Sequence, residues 1–186
     1  MKRRALHYCA ATRHLRVGFC GLLLMAVPLA GCSEPNSTKQ VEIPGSDGQM
    51  GAQAQVLKVI DGDTVEARIG SNIERLRLLG IDTPETVKPN SPVECFGPEA
   101  SKRTKELLSP GTEILLQRDE QARDRYGRLL VYAWLSDGKF VNASLLRDGF
   151  ADTLFIKPNF ARRSELSAAR AEAKAEKKGM WGTCPP

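Results

Sequence analysis

The segment Val59-Ile60-Asp61-Gly62-Asp63-Thr64-Val65, followed by Arg77-Leu78-Leu79-Gly80-Ile81-Asp82-Thr83-Pro84-Glu85, decides how this 186-residue chain folds. Positions 56–60, 64–69 and 73–81 are rich in β-branched and apolar residues, and the turn sequences Asp61-Gly62 and Gly70-Ser71-Asn72 separate them. That pattern predicts a meander of three antiparallel strands. Folding the second and third strands about Ser71 and Asn72 sets Asp63 opposite positions 80–82, and facing residues on paired strands lie only ~5 Å apart. Asp63 and Asp82 are therefore expected to be neighbours. Two carboxylates that close repel unless one takes a proton or a cation lies between them, and a hard cation such as Ca²⁺ prefers oxygen ligands. Glu85, just past Pro84, falls close enough to act on a water beside such a metal. Asp-Gly alone is an ordinary hairpin turn, and Asp82-Thr83-Pro84 alone an ordinary loop start. Together with Arg77 they point to a metal and phosphate site.

The second half of the chain supplies another cation. Asp124-Arg125-Tyr126-Gly127-Arg128 lies between two predicted strands, 113–117 and 129–135, and reads as a hairpin loop that projects Arg128 at the base of a strand. A guanidinium is a planar fork that matches two phosphate oxygens, which suits Arg77 and Arg128 to clamping a five-coordinate phosphorus from two sides. The plain structural alternative is that both arginines pair with nearby carboxylates and hold the fold.

Six ordered motifs now carry a resemblance: Val59 to Val65, Arg77 to Glu85, Phe96-Gly97-Pro98-Glu99-Ala100-Ser101, Asp124 to Arg128, Val141-Asn142-Ala143 and Lys157-Pro158-Asn159. In order and spacing, over about positions 53–182, the chain resembles the staphylococcal-nuclease-like (thermonuclease) family. The resemblance implies a mainly β, α+β fold: a five-stranded OB-type barrel with three helices. It also implies a Ca²⁺-dependent phosphodiesterase that cuts DNA and RNA on the 5′ side of phosphorus and leaves 3′-phosphates. Carried over by position, Asp63 and Asp82 bind Ca²⁺ through carboxylates and Thr83 through its backbone carbonyl. Glu85 orients or deprotonates the attacking water, Arg77 and Arg128 stabilise the transition state, and Arg125 and Tyr126 contact neighbouring phosphates. One departure stands out. The family's best-known member has tyrosines before Lys-Pro-Asn that hold the nucleotide, whereas this chain reads Leu154-Phe155-Ile156-Lys157-Pro158-Asn159. Phe155 either stacks on a base or points into the core.

Helices are expected at 98–108, with Pro98 in the first turn and Ser109-Pro110-Gly111 as a stop, at 142–147, and at 160–178 up to Gly179. Trp181 reads as a packing plug.

The domain plan follows from composition. Residues 1–31 resemble a secretion signal, with a basic start and an apolar run from Val17 to Ala30 that is shorter than the ~20 residues of a spanning helix. Leu29-Ala30-Gly31-Cys32 resembles a bacterial lipobox, so Cys32 is the expected lipidation site. Durable anchoring takes more than one acyl chain, which lipidation of this kind supplies. Ser33 lacks the aspartate associated with inner-membrane retention, favouring the outer membrane where a cell has two. The expected location is thus the bacterial envelope, lipid-anchored, or export. Residues 32–52 are rich in Ser, Pro, Gly, Asn and Gln and read as a flexible tether, with a reach of ~25 Å for about twenty residues. Residues 53–186 form one domain.

Lys2, Arg3, Arg4, Arg13 and Arg16 account for the net charge of +5, since no acidic residue precedes Cys32. The rest is formally neutral, so attraction to nucleic acid must come from a local basic site and bound Ca²⁺. His7 and His14 are the chain's two histidines and lie in the leader, which excludes histidine-based catalysis beyond it. With Cys9, Cys20 and Cys32 set aside, Cys95 and Cys184 remain as an even pair in an oxidising compartment, either a disulfide or two free thiols. No exposed heptad or apolar stripe is evident, which favours a monomer. Two function classes remain: a membrane-tethered nuclease, or a non-cleaving nucleic-acid-binding or interaction module of the same fold.

Overall fold

A computed structural model describes residues 51–86 and 92–185. Cys32, the expected leader and most of the expected tether lie outside the described residues. The strands are β1 (Ala52–Asp61), β2 (Thr64–Ile69), β3 (Asn72–Leu78), β4 (Glu113–Gln117) and β5 (Leu129–Leu135). They close into a barrel in the order β1-β2-β3-β5-β4, with β3 and β5 parallel and the other pairs antiparallel. The helices are α1 (Gly97–Leu107), α2 (Val141–Arg147) and α3 (Arg163–Ala175), followed by a single turn, α4 (Met180–Thr183). This is the five-stranded barrel with three helices that the resemblance implied.

Alternation makes the barrel. Val56, Val65, Ala67, Leu76, Leu78, Ile114, Leu116, Val131 and Ala133 are buried, while the residues between them on β2 and β3, such as Glu66, Arg75 and Arg77, turn outward. Removing such apolar surface from water contributes about 25 cal/mol per Å². α2 covers the barrel with Val141, Leu145 and Leu146, and α3 packs against α2, burying Leu166, Ala169 and Ala173. Asn142 is fully buried. It accepts a hydrogen bond from the Ala133 N–H at 3.0 Å and donates to the Leu79 carbonyl at 2.9 Å, tying α2 to β5 and to the segment leaving β3. Asp119, also buried, accepts from the Tyr132 hydroxyl at 2.9 Å and the Ala161 N–H at 2.8 Å, fixing the approach to α3.

Several boundaries differ from expectation. The β2–β3 turn is Gly70-Ser71, because Ile69 pairs with Asn72, so Thr64 faces Arg77 and the Asp63 carbonyl accepts from the Leu78 N–H at 2.9 Å. Asp63 therefore lies opposite Leu78 and not positions 80–82. β3 stops at Leu78, and β1 starts at Ala52, where it pairs with Leu116 of β4 to close the barrel. The long third helix is shorter than expected and is followed by α4, which begins after Gly179.

Cys95 and Cys184 form a disulfide, 89 residues apart in sequence. It joins the C-terminal tail to the segment entering α1. Closing a loop of that length removes unfolded-chain entropy worth about 4–5 kcal/mol on the polymer model. Reduction is expected to lower unfolding stability by about that amount, as read from urea midpoints with and without dithiothreitol. Unchanged midpoints would show that the bond constrains nothing the fold does not already hold.

Candidate active site

A cleft of about 360 Å³ opens on the outer face of β2 and β3, and Asp63, Asp82, Thr83, Glu85, Arg77 and Arg128 all line it. Sequence order alone separates these residues by up to 65 positions; the barrel register brings them together. Asp63 ends the β1–β2 turn and Arg77 projects from β3 opposite Thr64. After β3 the chain turns through Gly80, at φ +73°, where a β-carbon would run into the Leu166 side chain. The reversal delivers Asp82 and Thr83 to the cleft floor. There Asp82 is locked by two backbone hydrogen bonds with Asp152, both 2.8 Å.

Asp63 and Asp82 meet through Arg77 rather than by strand pairing. Arg77 Nη1 lies 2.9 Å from Asp63 Oδ2, and Nη2 lies 2.9 Å from Asp82 Oδ1. The same guanidinium donates to the carbonyls of Leu78 and Ile81 at 3.0 and 2.9 Å. The alternative raised for the arginines is thus realised here: Arg77 is the counter-ion of the paired carboxylates. Asp63 also accepts from the Thr64 hydroxyl at 2.9 Å and the Thr83 N–H at 3.3 Å. Arg128, just before β5, donates through Nε to Asp124 at 2.7 Å and through Nη1 to Thr64 Oγ1 at 3.4 Å. Thr64, which the sequence did not single out, therefore connects Asp63 to Arg128.

Glu85 is held by its neighbours. Its N–H donates to Glu94 Oε2 at 3.1 Å, its carbonyl accepts from the Glu94 N–H at 3.0 Å, and its carboxylate accepts from the Thr86 N–H at 3.1 Å. The Thr86 hydroxyl donates to the buried Asp61 at 2.6 Å. In the sequence Asp61 reads only as the first residue of an Asp-Gly turn. Arg125 and Tyr126 sit farther out on the hairpin: Tyr126 is 67% exposed, and Arg125 Nη2 donates to its hydroxyl at 2.6 Å. Phe155 packs partly buried against the core beside Gly80, so it takes the core reading. Leu154 and Ile156 are exposed. Trp181 is half-buried beneath the cations of Arg170 and Lys174.

The donor set suits a hard cation. Thr83 is buried and its Oγ1 has no hydrogen-bond partner, a polar atom left unsatisfied at the cleft floor. Burial raises the Asp82 pKa; Arg77 opposes that shift, while Asp63 and Glu94 add to it. Burial thus disfavours the negative charge on Asp82, which a nearby cation would relieve. Among the described residues no three His, Cys, Asp or Glu side chains converge as a metal cluster; a cation held by two carboxylates would need carbonyl oxygen and water as well, which a hard cation accepts.

Gly62 is part of this floor. A β-carbon there would sit 2.5 Å from Thr83 Oγ1. Gly62→Ala is expected to displace Thr83 and lower turnover by about a hundredfold, the scale of a 1 Å misplacement, with the far-ultraviolet circular dichroism unchanged. Wild-type turnover in the variant would show that Thr83 need not hold this position.

The sequence matches the family described as "Staphylococcal nuclease homologue" over residues 75–183. It is 42% identical to the thermonuclease of Staphylococcus hyicus over 127 residues, covering 68% of this chain and 74% of that protein. The chain belongs to the staphylococcal nuclease family. The thermonuclease of Staphylococcus intermedius is likewise 42% identical over 126 residues, with 68% and 74% covered. Endonuclease YncB of Bacillus subtilis is 40% identical over 126 residues, 67% of this chain and 59% of that protein. As a member of the staphylococcal nuclease family the chain is a nuclease, and its cleft is lined by the charged side chains of Asp63, Arg77, Asp82, Glu85 and Arg128.

Two arginine-bound carboxylates predict the acid response of this nuclease-family domain. Burial alone would raise Asp124 and Asp152, but hydrogen bonds from Arg128 and the Arg128 and Tyr126 N–H groups hold Asp124 low, and those from Arg170 and Thr153 hold Asp152 low. A depressed native pKa means the unfolded chain binds the proton more readily. The contribution is full above the ordinary carboxylate pKa of about 3.9 and is lost as pH falls through and below it. Melting temperature is expected to fall from about pH 5 downward, and Asp152→Asn to flatten that fall. An equally steep fall in the variant would remove Asp152 from the account.

Proposed function

We propose that this protein is a Ca²⁺-dependent endonuclease that hydrolyses DNA and RNA to products ending in 3′-phosphates, as a monomer tethered to a membrane through lipid on Cys32. The observation that carries the catalytic part is the convergence of Arg77 and Arg128 on the cleft that also holds Asp63, Asp82 and Glu85. Asp63, Asp82 and the Thr83 carbonyl would hold the ion, which when bound supplies positive charge for the phosphate oxygens and for a water.

The chain's own groups do the rest. Glu85 takes the proton of the attacking water or fixes that water's direction, as general-base chemistry requires. The water oxygen bonds to phosphorus while the bond to the 5′-oxygen breaks, leaving a 3′-phosphate on one product and a 5′-hydroxyl on the other. Arg77 and Arg128 donate to the oxygens on which charge accumulates, with Arg128 placed to help the departing 5′-oxygen. Charge-assisted bonds from Arg125, and contact with Tyr126, would steady neighbouring phosphates. Preference for single strands fits an open cleft on one face of the barrel.

End-group analysis tests the reaction. Products are expected to resist 3′ extension until a phosphatase removes the terminal phosphate; products that extend directly would contradict the proposed bond of cleavage. The tether rests on the Leu29-Ala30-Gly31-Cys32 sequence. Among the described residues no helix is long and apolar enough to cross a membrane. Cys32→Ser is expected to release the protein from the membrane fraction and abolish incorporation of a labelled fatty acid; retention and labelling in the variant would exclude lipidation there.

A further inference from the structure

Three guanidinium groups line the cleft, those of Arg75, Arg77 and Arg128, and they differ in their partners. Arg77 is occupied by Asp63 and Asp82, and Arg128 by Asp124. The exposed side chain of Arg75 has no ion pair or hydrogen bond among the described residues. Its cross-strand neighbour on β2 is Glu66, and that carboxylate is engaged by Lys58 at 3.3 Å.

The backbone fixes where this cation sits. Arg75 and Arg77 are separated by Leu76, which is fully buried, so both arginines project from the outer face of β3. Two residues of strand span about 6.5–7 Å, a distance comparable to the separation of neighbouring phosphates in an unstacked single strand. In the parallel pairing of β3 with β5, Leu76 lies beside Leu129, so stepping back one residue on each strand brings Arg75 alongside Arg128. A third guanidinium held next to two others, with no anion of its own, adds to the positive potential of the cleft and favours an incoming anion.

We propose that Arg75 binds the phosphate next to the one being cut and is a substrate-positioning residue, favouring polynucleotide chains over substrates with a single phosphodiester. This rests on the nuclease reading of the cleft. The scissile phosphate takes Arg77 and Arg128, and the adjoining phosphate of the same strand meets Arg75 one step along β3. Because the contact is made equally in the bound ground state and the transition state, it acts on binding and not on the chemical step.

The test compares the full chain in detergent with Arg75→Ala and Arg75→Lys. Two substrates are used: a short oligothymidylate, and thymidylyl-thymidine, which has one phosphodiester and no neighbouring phosphate. For the oligothymidylate, Arg75→Ala is expected to raise KM about tenfold, the scale of one charge-assisted hydrogen bond, with kcat within twofold of wild type. The slope of log affinity against log salt should shrink by about 0.7, one phosphate contact on a single strand. Thymidylyl-thymidine cleavage should be unchanged, and Arg75→Lys should recover most of the loss, since a point charge still binds phosphate. Equal losses on both substrates, a fall in kcat, or an unchanged KM and salt slope would overturn the proposal. If the wild-type chain cuts neither substrate, the nuclease reading fails by itself. Oligothymidylate binding in chelator then still decides Arg75, because equal affinities and slopes for wild type and Arg75→Ala would overturn the contact.

Discussion

Glu85→Ala is expected to lower the rate of DNA cleavage by about two to four orders of magnitude, the range of a lost general base, while affinity for single-stranded DNA stays within about a factor of two. The asymmetry follows from where the carboxylate is and what holds it. Glu85 lines the cleft with Arg77 and Arg128, and the chain around it helps hold it: Thr86 at the carboxylate and Glu94 at the backbone. Cys95, next to Glu94, is disulfide-bonded to Cys184, so the Glu85 segment is pinned at its far end as well. On the proposed mechanism such a group acts on a water and contributes little to binding the strand. Glu85→Gln keeps the shape and the local hydrogen bond but cannot take a proton, so it separates the two roles. A rate near that of Glu85→Ala marks proton transfer, and a rate near wild type marks orientation. Cleavage undiminished in both would remove Glu85 from the reaction.

Arg77→Met is expected to fail in two ways at once. Turnover should fall at least about a hundredfold, as it does when one preorganised donor to transition-state charge is removed. Stability in chelator should also fall by about 3–5 kcal/mol, because the Asp63 carboxylate, only 12% exposed, loses its counter-ion. Saturating Ca²⁺ should restore a large part of that stability but not the turnover, since a cation replaces the charge at Asp63 and Asp82 but not the donor aimed at phosphate. Arg128→Ala is the contrast. Its partner Asp124 lies on the same hairpin at 2.7 Å and both side chains are partly exposed, so stability should change by about 1 kcal/mol or less while turnover drops as steeply. If Arg77→Met is as stable as wild type in chelator, Arg77 is not the resident counter-ion that its two 2.9 Å contacts describe.

What could be read from the sequence followed from short-range chemistry. Asp61-Gly62 and Gly70-Ser71 announce turns, strand alternation separates Leu76 and Leu78 from Arg77, and these together place Asp63, Arg77 and Asp82 in one neighbourhood. The precise register was missed by two residues because Gly70-Ser71 alone makes the turn, and Asp82 reaches the site through the Gly80 reversal and its bridge to Asp152. Such a bridge joins residues 70 positions apart and leaves no local signature. Asn142 and Thr64 stand in recognisable motifs, but their contacts are not legible there: a buried amide spanning two elements, and a hydroxyl linking Asp63 to Arg128, are defined by what surrounds them. Alternation marks Arg75 only as outward-facing, and the closed barrel is what makes that outward face the cleft.

The most direct test of the central claim is cleavage of single-stranded DNA with Ca²⁺, with Mg²⁺ and with chelator, by the wild-type chain beside Glu85→Ala and Arg128→Ala. The account predicts cutting that requires Ca²⁺, leaves 3′-phosphates and falls by orders of magnitude in both variants. A folded protein that binds the DNA but cuts it under none of these conditions would contradict it and leave a binding module of the same fold.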